Sequence, residues 1–229
     1  MNSTVCGNRQ PLFMAQYIHF KDPNSEEMIR LLERIPRSPG TCFFMDINRS
    51  TDMKYQGGLK DWGRKLNNTF NNLLFANHFQ HNVVKGIGDE VMLFIPDEEL
   101  RKKKSNNTYF ALLEDIYASL FLIGHHPDPD LFLNCKVAIH YCTEVYHITF
   151  FEGANDYYGS DIDLTARLMT KCIENRIVLS EGFYIKAKND LISLGLPLET
   201  GCMERVSDRF IENFKGVPES TSFRVIDIL

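Results

Sequence analysis

Residues 43–51, FFMDINRST, and residues 83–94, VVKGIGDEVMLF, are two apolar runs that each deliver an acid at an edge. FFMDI has no helical period and reads as a buried strand. In the second run, GIGD separates two short apolar halves and reads as a hairpin turn, with Gly86 and Gly88 relieving the backbone. An acid on one strand and an acid beside a turn can then lie next to each other, in the arrangement shared divalent ions require. Asp46 and Asp89 are the expected metal ligands: carboxylate oxygens suit Mg²⁺ or Mn²⁺, and neither stretch has the sulfur or imidazole spacing that favours zinc. Phosphoryl chemistry is the first expectation.

Outward from these runs, the period switches repeatedly. Met28, Leu31, Leu32 and Ile35 have helical spacing after Ser25, a candidate cap, and RSPG at 37–40 ends that helix. Leu59, Trp62, Leu66, Phe70, Leu73 and Leu74 mark an amphipathic helix with Trp62 in the core. One helix is expected from about Glu98 to Leu122, ended by HHPDPD. NCKVAIHYC and EVYHITF read as paired strands connected at 142–144. A helix at DLTARLMTKCI, a strand at RIVLSE, a helix closed by Gly195, and strands at FIENFKG and SFRVIDIL follow. The order predicts an α+β fold, a ferredoxin-like βαββαβ sandwich with appended strands and helices, the helices on one sheet face. Residues 1–39 read as an N-terminal extension with a short helix, and 40–229 as a single domain.

Bulk composition limits the function classes. The chain has 229 residues, 44% of them hydrophobic, enough for one full core. A net charge of −5 and a pI near 5.8 argue against nucleic acid as a partner, and RKKKS at 101–105 reads as a solvated helix start. The six cysteines lack CxxC spacing, so reduced thiols in a cytoplasmic protein are expected. No apolar run is long enough for a membrane span, and the N-terminus lacks a signal peptide pattern.

Five separated motifs, in order, carry a family resemblance: FMDINRST (44–51), VKGIGDEVM (84–92), VAIHYCTEV (137–145), DYYGSDIDLTARL (156–168) and NFKGVPES (213–220). Over residues 40–229 the chain resembles the class III nucleotidyl cyclase catalytic domain. That resemblance implies a metal-dependent enzyme that turns a nucleoside triphosphate into a 3′,5′-cyclic nucleotide and pyrophosphate. It also implies a head-to-tail homodimer with shared active sites, metal acids from one subunit and base-reading and transition-state residues from the other. Asp46 and Asp89, with the Ile47 carbonyl, would hold two divalent cations, Mn²⁺ or Mg²⁺. Amides around Asn48, Arg49, Ser50 and Thr51 would cradle phosphates, and Lys85 and Asp156 would read the base. Arg167 would stabilise transition-state charge, and Lys215 would meet the terminal phosphates.

Two positions depart from the family pattern. Asp163 stands where asparagine is usual and cannot donate the amide's hydrogen bond; Cys142 replaces a small glycine. The Lys85 and Asp156 pairing is the one seen in adenylate cyclases. The lack of a sensor module and the presence of Asp163 instead resemble the standalone pyrimidine cyclases of antiphage (Pycsar) systems, which make cyclic CMP or cyclic UMP. The expected reading is a pyrimidine cyclase; adenylate cyclase and a catalytically degenerate binding or dimerisation module are the alternatives. GIGDE only superficially matches the diguanylate cyclase turn, since Ile87 replaces its second glycine and the later motifs have no place there.

Overall fold

The computed structural model describes residues 15–18, 26–48, 50–104, 108–152 and 154–228. In chain order the elements are β1 (Gln16–Tyr17), α1 (Glu26–Glu33), β2 (Arg37–Ile47), α2 (Ser50–Phe70), β3 (Val83–Ile87), β4 (Glu90–Pro96), α3 (Asp97–Lys104) and α4 (Thr108–Gly124). They continue with β5 (Cys135–Tyr146), β6 (Ile148–Thr149), α5 (Ser160–Met169), β7 (Arg176–Ser180), α6 (Glu181–Ser193), β8 (Phe210–Glu212) and β9 (Thr221–Asp227). A seven-stranded sheet runs β3-β4-β2-β5-β7-β9-β8. All its pairings are antiparallel except β5 with β7. β1 and β6 form a small parallel pair.

Strand β2 lies inside the sheet, between β4 and β5, because its side chains can be buried on both faces. Phe43, Met45 and Ile47 enter a core with α2, α4 and α6, while Cys42 and Phe44 enter a second core with α5. Each fully buried aromatic or aliphatic side chain of this kind contributes about 1.5–3 kcal/mol. The helices therefore occupy both faces, with α5 opposite the other three, rather than one face as the sequence order suggested. Gly40 marks the closest backbone approach: a Cβ there would stand 2.5 Å from the Ile95 carbonyl oxygen and 2.7 Å from the Phe94 ring. No helix of the described residues is long and apolar enough to cross a membrane.

Two element assignments change, each for a long-range reason. The expected turn at 142–144 does not exist, and β5 runs through it unbroken. The polar residues that suggested a turn are satisfied from elsewhere: Asp161 Oδ2 accepts from the Thr143 amide at 2.6 Å, and Glu144 pairs with Arg37. The helix expected over 98–122 is two, α3 and α4, with residues 105–107 outside those described. Asp190 Oδ2, on α6, accepts from the amides of Tyr109 and Phe110 at 2.6 and 3.0 Å and so caps α4 from a distance. Ser25, the cap candidate for α1, lies outside the described residues.

Candidate active site

Asp46 lies near the end of β2, directly across from Glu90 of β4 on one side and Lys136 of β5 on the other. Opposed residues on neighbouring strands share a face, so the three side chains form one row across the sheet on its α5 side. Lys136 Nζ is 2.9 Å from Asp46 Oδ2. Asp89 sits in the turn after Gly88, whose φ of 69° places it in the left-handed region. The Ser50 hydroxyl donates to Asp89 Oδ2, and Lys54 Nζ is 3.7 Å from Oδ1.

The row is crowded with negative charge. Burial raises the Glu90 pKa above the ordinary carboxylate value; repulsion from Asp46 and Asp89 adds to this, and Lys136 offsets part of it. A carboxyl whose folded pKa is raised contributes stability below its unfolded pKa and loses it as pH rises through the folded value. Glu90→Gln is therefore expected to raise the thermal midpoint at neutral pH in chelator, and the gain should vanish at acid pH. Equal midpoints for both proteins at neutral pH would remove Glu90 from the crowded row.

The neighbouring segment is partly committed to the fold. Asn48 donates its backbone amide to the Asn134 carbonyl at 2.9 Å and its side-chain amide to Glu174 Oε2 at 2.8 Å. Its amide is thus already engaged rather than open to a phosphate. Arg49 lies outside the described residues. Ser50 and Thr51 open α2, with Ser50 buried and Thr51 exposed. The Ile47 side chain is in the core, so Ile47 can contribute a ligand only through its carbonyl.

A second group pairs Lys85 of β3 with Asp156. Lys85 Nζ lies 3.0 and 3.2 Å from the two Asp156 oxygens, and Asp156 Oδ1 also accepts from the Tyr157 amide at 2.8 Å. Lys85 Nζ is 5.6 Å from the centre of the Tyr158 ring. The result is a donor set beside an acceptor, with the acid the more buried partner.

The third group lines a cavity of about 490 Å³ between α5 and the segment 215–219. Asp163 and Arg167 face it from successive turns of α5, and Lys215 faces it from the other wall. None of the three has an ion pair with another described residue, so Asp163 is not neutralised by Arg167. Two cations, Arg167 and Lys215, and two carboxylates, Asp163 and Glu219, none of them ion-paired with another described residue, are thus presented together. Asp46 and Asp89 do not line this cavity.

Sequence reading missed Glu90, Lys136 and Lys54. The signal for the first two was the strand alternation: with Asp46 pointing away from Met45 and Ile47, the residues opposite it on both neighbours had to share its face. Splitting β5 into a hairpin concealed the Lys136 register.

No family model matches the chain, and no curated protein matches it. Solved structures do. The guanylyl cyclase Cya2 superposes with a TM-score of 0.62 at 15% identity, covering 84% of this chain and 93% of its own. The adenylyl cyclase CyaB from P. aeruginosa gives a TM-score of 0.59 at 16% identity, covering 84% and 95%. The catalytic core of a rhodopsin-guanylyl cyclase with converted specificity, in complex with ATPalphaS, gives 0.62 at 14% identity, covering 84% and 98%. The mixed sheet, with its helices on two faces, is the α+β fold of class III adenylyl and guanylyl cyclase catalytic domains.

Proposed function

We propose that the chain is a metal-dependent nucleotidyl cyclase that closes a nucleoside triphosphate into its 3′,5′-cyclic monophosphate with release of pyrophosphate. The observation that carries this reading is the crowding of Asp46, Asp89 and Glu90 at the ends of paired strands, in a fold shared with cyclases. Hard oxygen donors and excess negative charge fit divalent cations, and Asp46, Asp89 and the Ile47 carbonyl would hold two, Mg²⁺ or Mn²⁺. Such ions supply Lewis acidity that favours the ribose 3′-oxyanion and steadies the leaving pyrophosphate.

The chain's own residues handle the rest. The 3′-oxygen forms a bond to the α-phosphorus, the bond from that phosphorus to the bridging oxygen breaks, and the 3′-hydroxyl proton leaves to solvent. Arg167, a permanent planar cation, stabilises charge on the α-phosphate oxygens, and Lys215 on the opposite wall binds the pyrophosphate end. Asp163 accepts a hydrogen bond from the ribose, which an asparagine would instead be able to donate. Since Asp46 and Asp89 lie outside the Arg167 cavity, a complete site joins the acids of one subunit to the cavity of a second in a homodimer.

The Lys85 and Asp156 pair sets the base class. A donor beside an acceptor complements an edge that presents a ring-nitrogen acceptor next to an amino donor, as cytosine and adenine do. Guanine and uracil present the reverse edge. The pyrimidine reading thus narrows to CTP, with a product of the kind antiphage cyclases signal with, and the same pair favours ATP as the second reading. Purified chain incubated with each of the four triphosphates and Mn²⁺ or Mg²⁺ is expected to give cyclic CMP or cyclic AMP. No cyclic product from any triphosphate would overturn the cyclase reading; cyclic GMP or cyclic UMP as the main product would overturn the base assignment.

A further inference from the structure

The α5 face of the sheet holds a second set of ligand-type side chains, distinct from the acid row. His140 and Cys142 leave β5 on the same face, two residues apart, and Asp161 meets them from the first turn of α5. One ligand atom from each of the three lies within 4.8 Å of the others. His140 is 8% exposed, and both ring nitrogens are buried without a hydrogen-bond partner. Its Nε2 stands 3.5 Å from Asp161 Oδ1. A buried imidazole with neither nitrogen satisfied is uncommon in a folded protein and points to a missing partner.

The other two side chains are prepared for the same partner. Asp161 Oδ2 is fixed by the Thr143 amide at 2.6 Å and the Thr143 hydroxyl at 3.1 Å, which leaves Oδ1 turned to the cluster. Hydrogen-bonded outer groups of this kind orient metal-binding carboxylates. The buried Cys142 sulfur has a long 4.0 Å contact to the His140 carbonyl and lies beside the Cys42 thiol.

We propose that His140, Cys142 and Asp161 form a zinc site that fastens the start of α5 to β5. A neutral imidazole, one thiolate and one carboxylate sum with Zn²⁺ to zero formal charge, which suits a buried position. The mixed nitrogen, sulfur and oxygen set fits zinc and not Mg²⁺. Binding exchanges the Cys142 thiol proton, released to solvent, for the sulfur–zinc bond, with no change of oxidation state. Because α5 carries Asp163 and Arg167, the ion would hold the cavity wall in place.

Elemental analysis of the purified chain after brief chelation is expected to find one zinc per chain, retained in Asp46→Ala and in Cys172→Ser. Zinc affinity should fall at least about tenfold in Cys142→Ser, His140→Ala and Asp161→Asn. Cobalt(II) loaded into the wild-type chain should show a thiolate-to-metal charge-transfer band, a result that stands whether or not the variants fold. A chain without retained zinc and without that band overturns the proposal. So does zinc lost from Asp46→Ala and kept in Cys142→Ser. Neither readout uses turnover, so this site and the cyclase reading fail separately.

Discussion

Asp46→Asn is expected to lower cyclase turnover by about 10³-fold, roughly 4 kcal/mol at the transition state, with the fold intact. The substitution keeps shape and removes one negative charge from a row that also holds Glu90. Folding loses the ion pair with Lys136 at 2.9 Å and gains relief from the Glu90 repulsion, two effects of opposite sign. The thermal midpoint should therefore move little while activity collapses. Steady-state product formation measured beside a melting curve checks both, and wild-type turnover in this variant would remove Asp46 from the metal site.

Arg167→Ala should cost about 10²- to 10³-fold, as expected when a fixed charge is removed from a developing oxyanion. Its more discriminating use is in mixtures. If each site takes Asp46 from one subunit and Arg167 from the other, a dimer of the two variants contains one doubly damaged site and one intact site. Equal mixing with free exchange makes about half the dimers mixed, so recovery should approach about a quarter of wild-type activity. Mixed dimers shown to form, yet as inactive as either parent, would sink the split site. Arg167 lacks an ion-pair partner among the described residues, so its loss leaves no stranded charge and should not unfold the chain.

Local rules made part of this molecule readable. The strand that ends beside Asp46 and the turn that holds Asp89 were legible because an apolar strand and a glycine turn are short-range patterns, and Gly88 does take the left-handed conformation that such a turn needs. Asp163, Arg167 and Lys215 came from motif resemblance, and the fold brings them to a single cavity. What stayed hidden depended on distant partners. Lys136 joins the acid row only through the β2–β5 register, α4 begins where Asp190 accepts its first amides, and β5 passes through polar residues because Asp161 satisfies them. His140 and Cys142 looked like ordinary strand residues for the same reason, since Asp161 reaches them from another element.

Because β5 and β7 run side by side in the same direction, the chain must travel back along the sheet before β7 can begin, and α5 makes that return journey. A crossover helix has a minimum span, whereas the exposed approach at Phe151 and Glu152 can lengthen or shorten at little cost before the paired backbones of Tyr146 and Tyr158 tie the chain down. Insertions during evolution should therefore be tolerated near Phe151 and rejected between Asp163 and Arg167. Loop length on that side is free to drift among descendants of this chain while the guanidinium keeps its station.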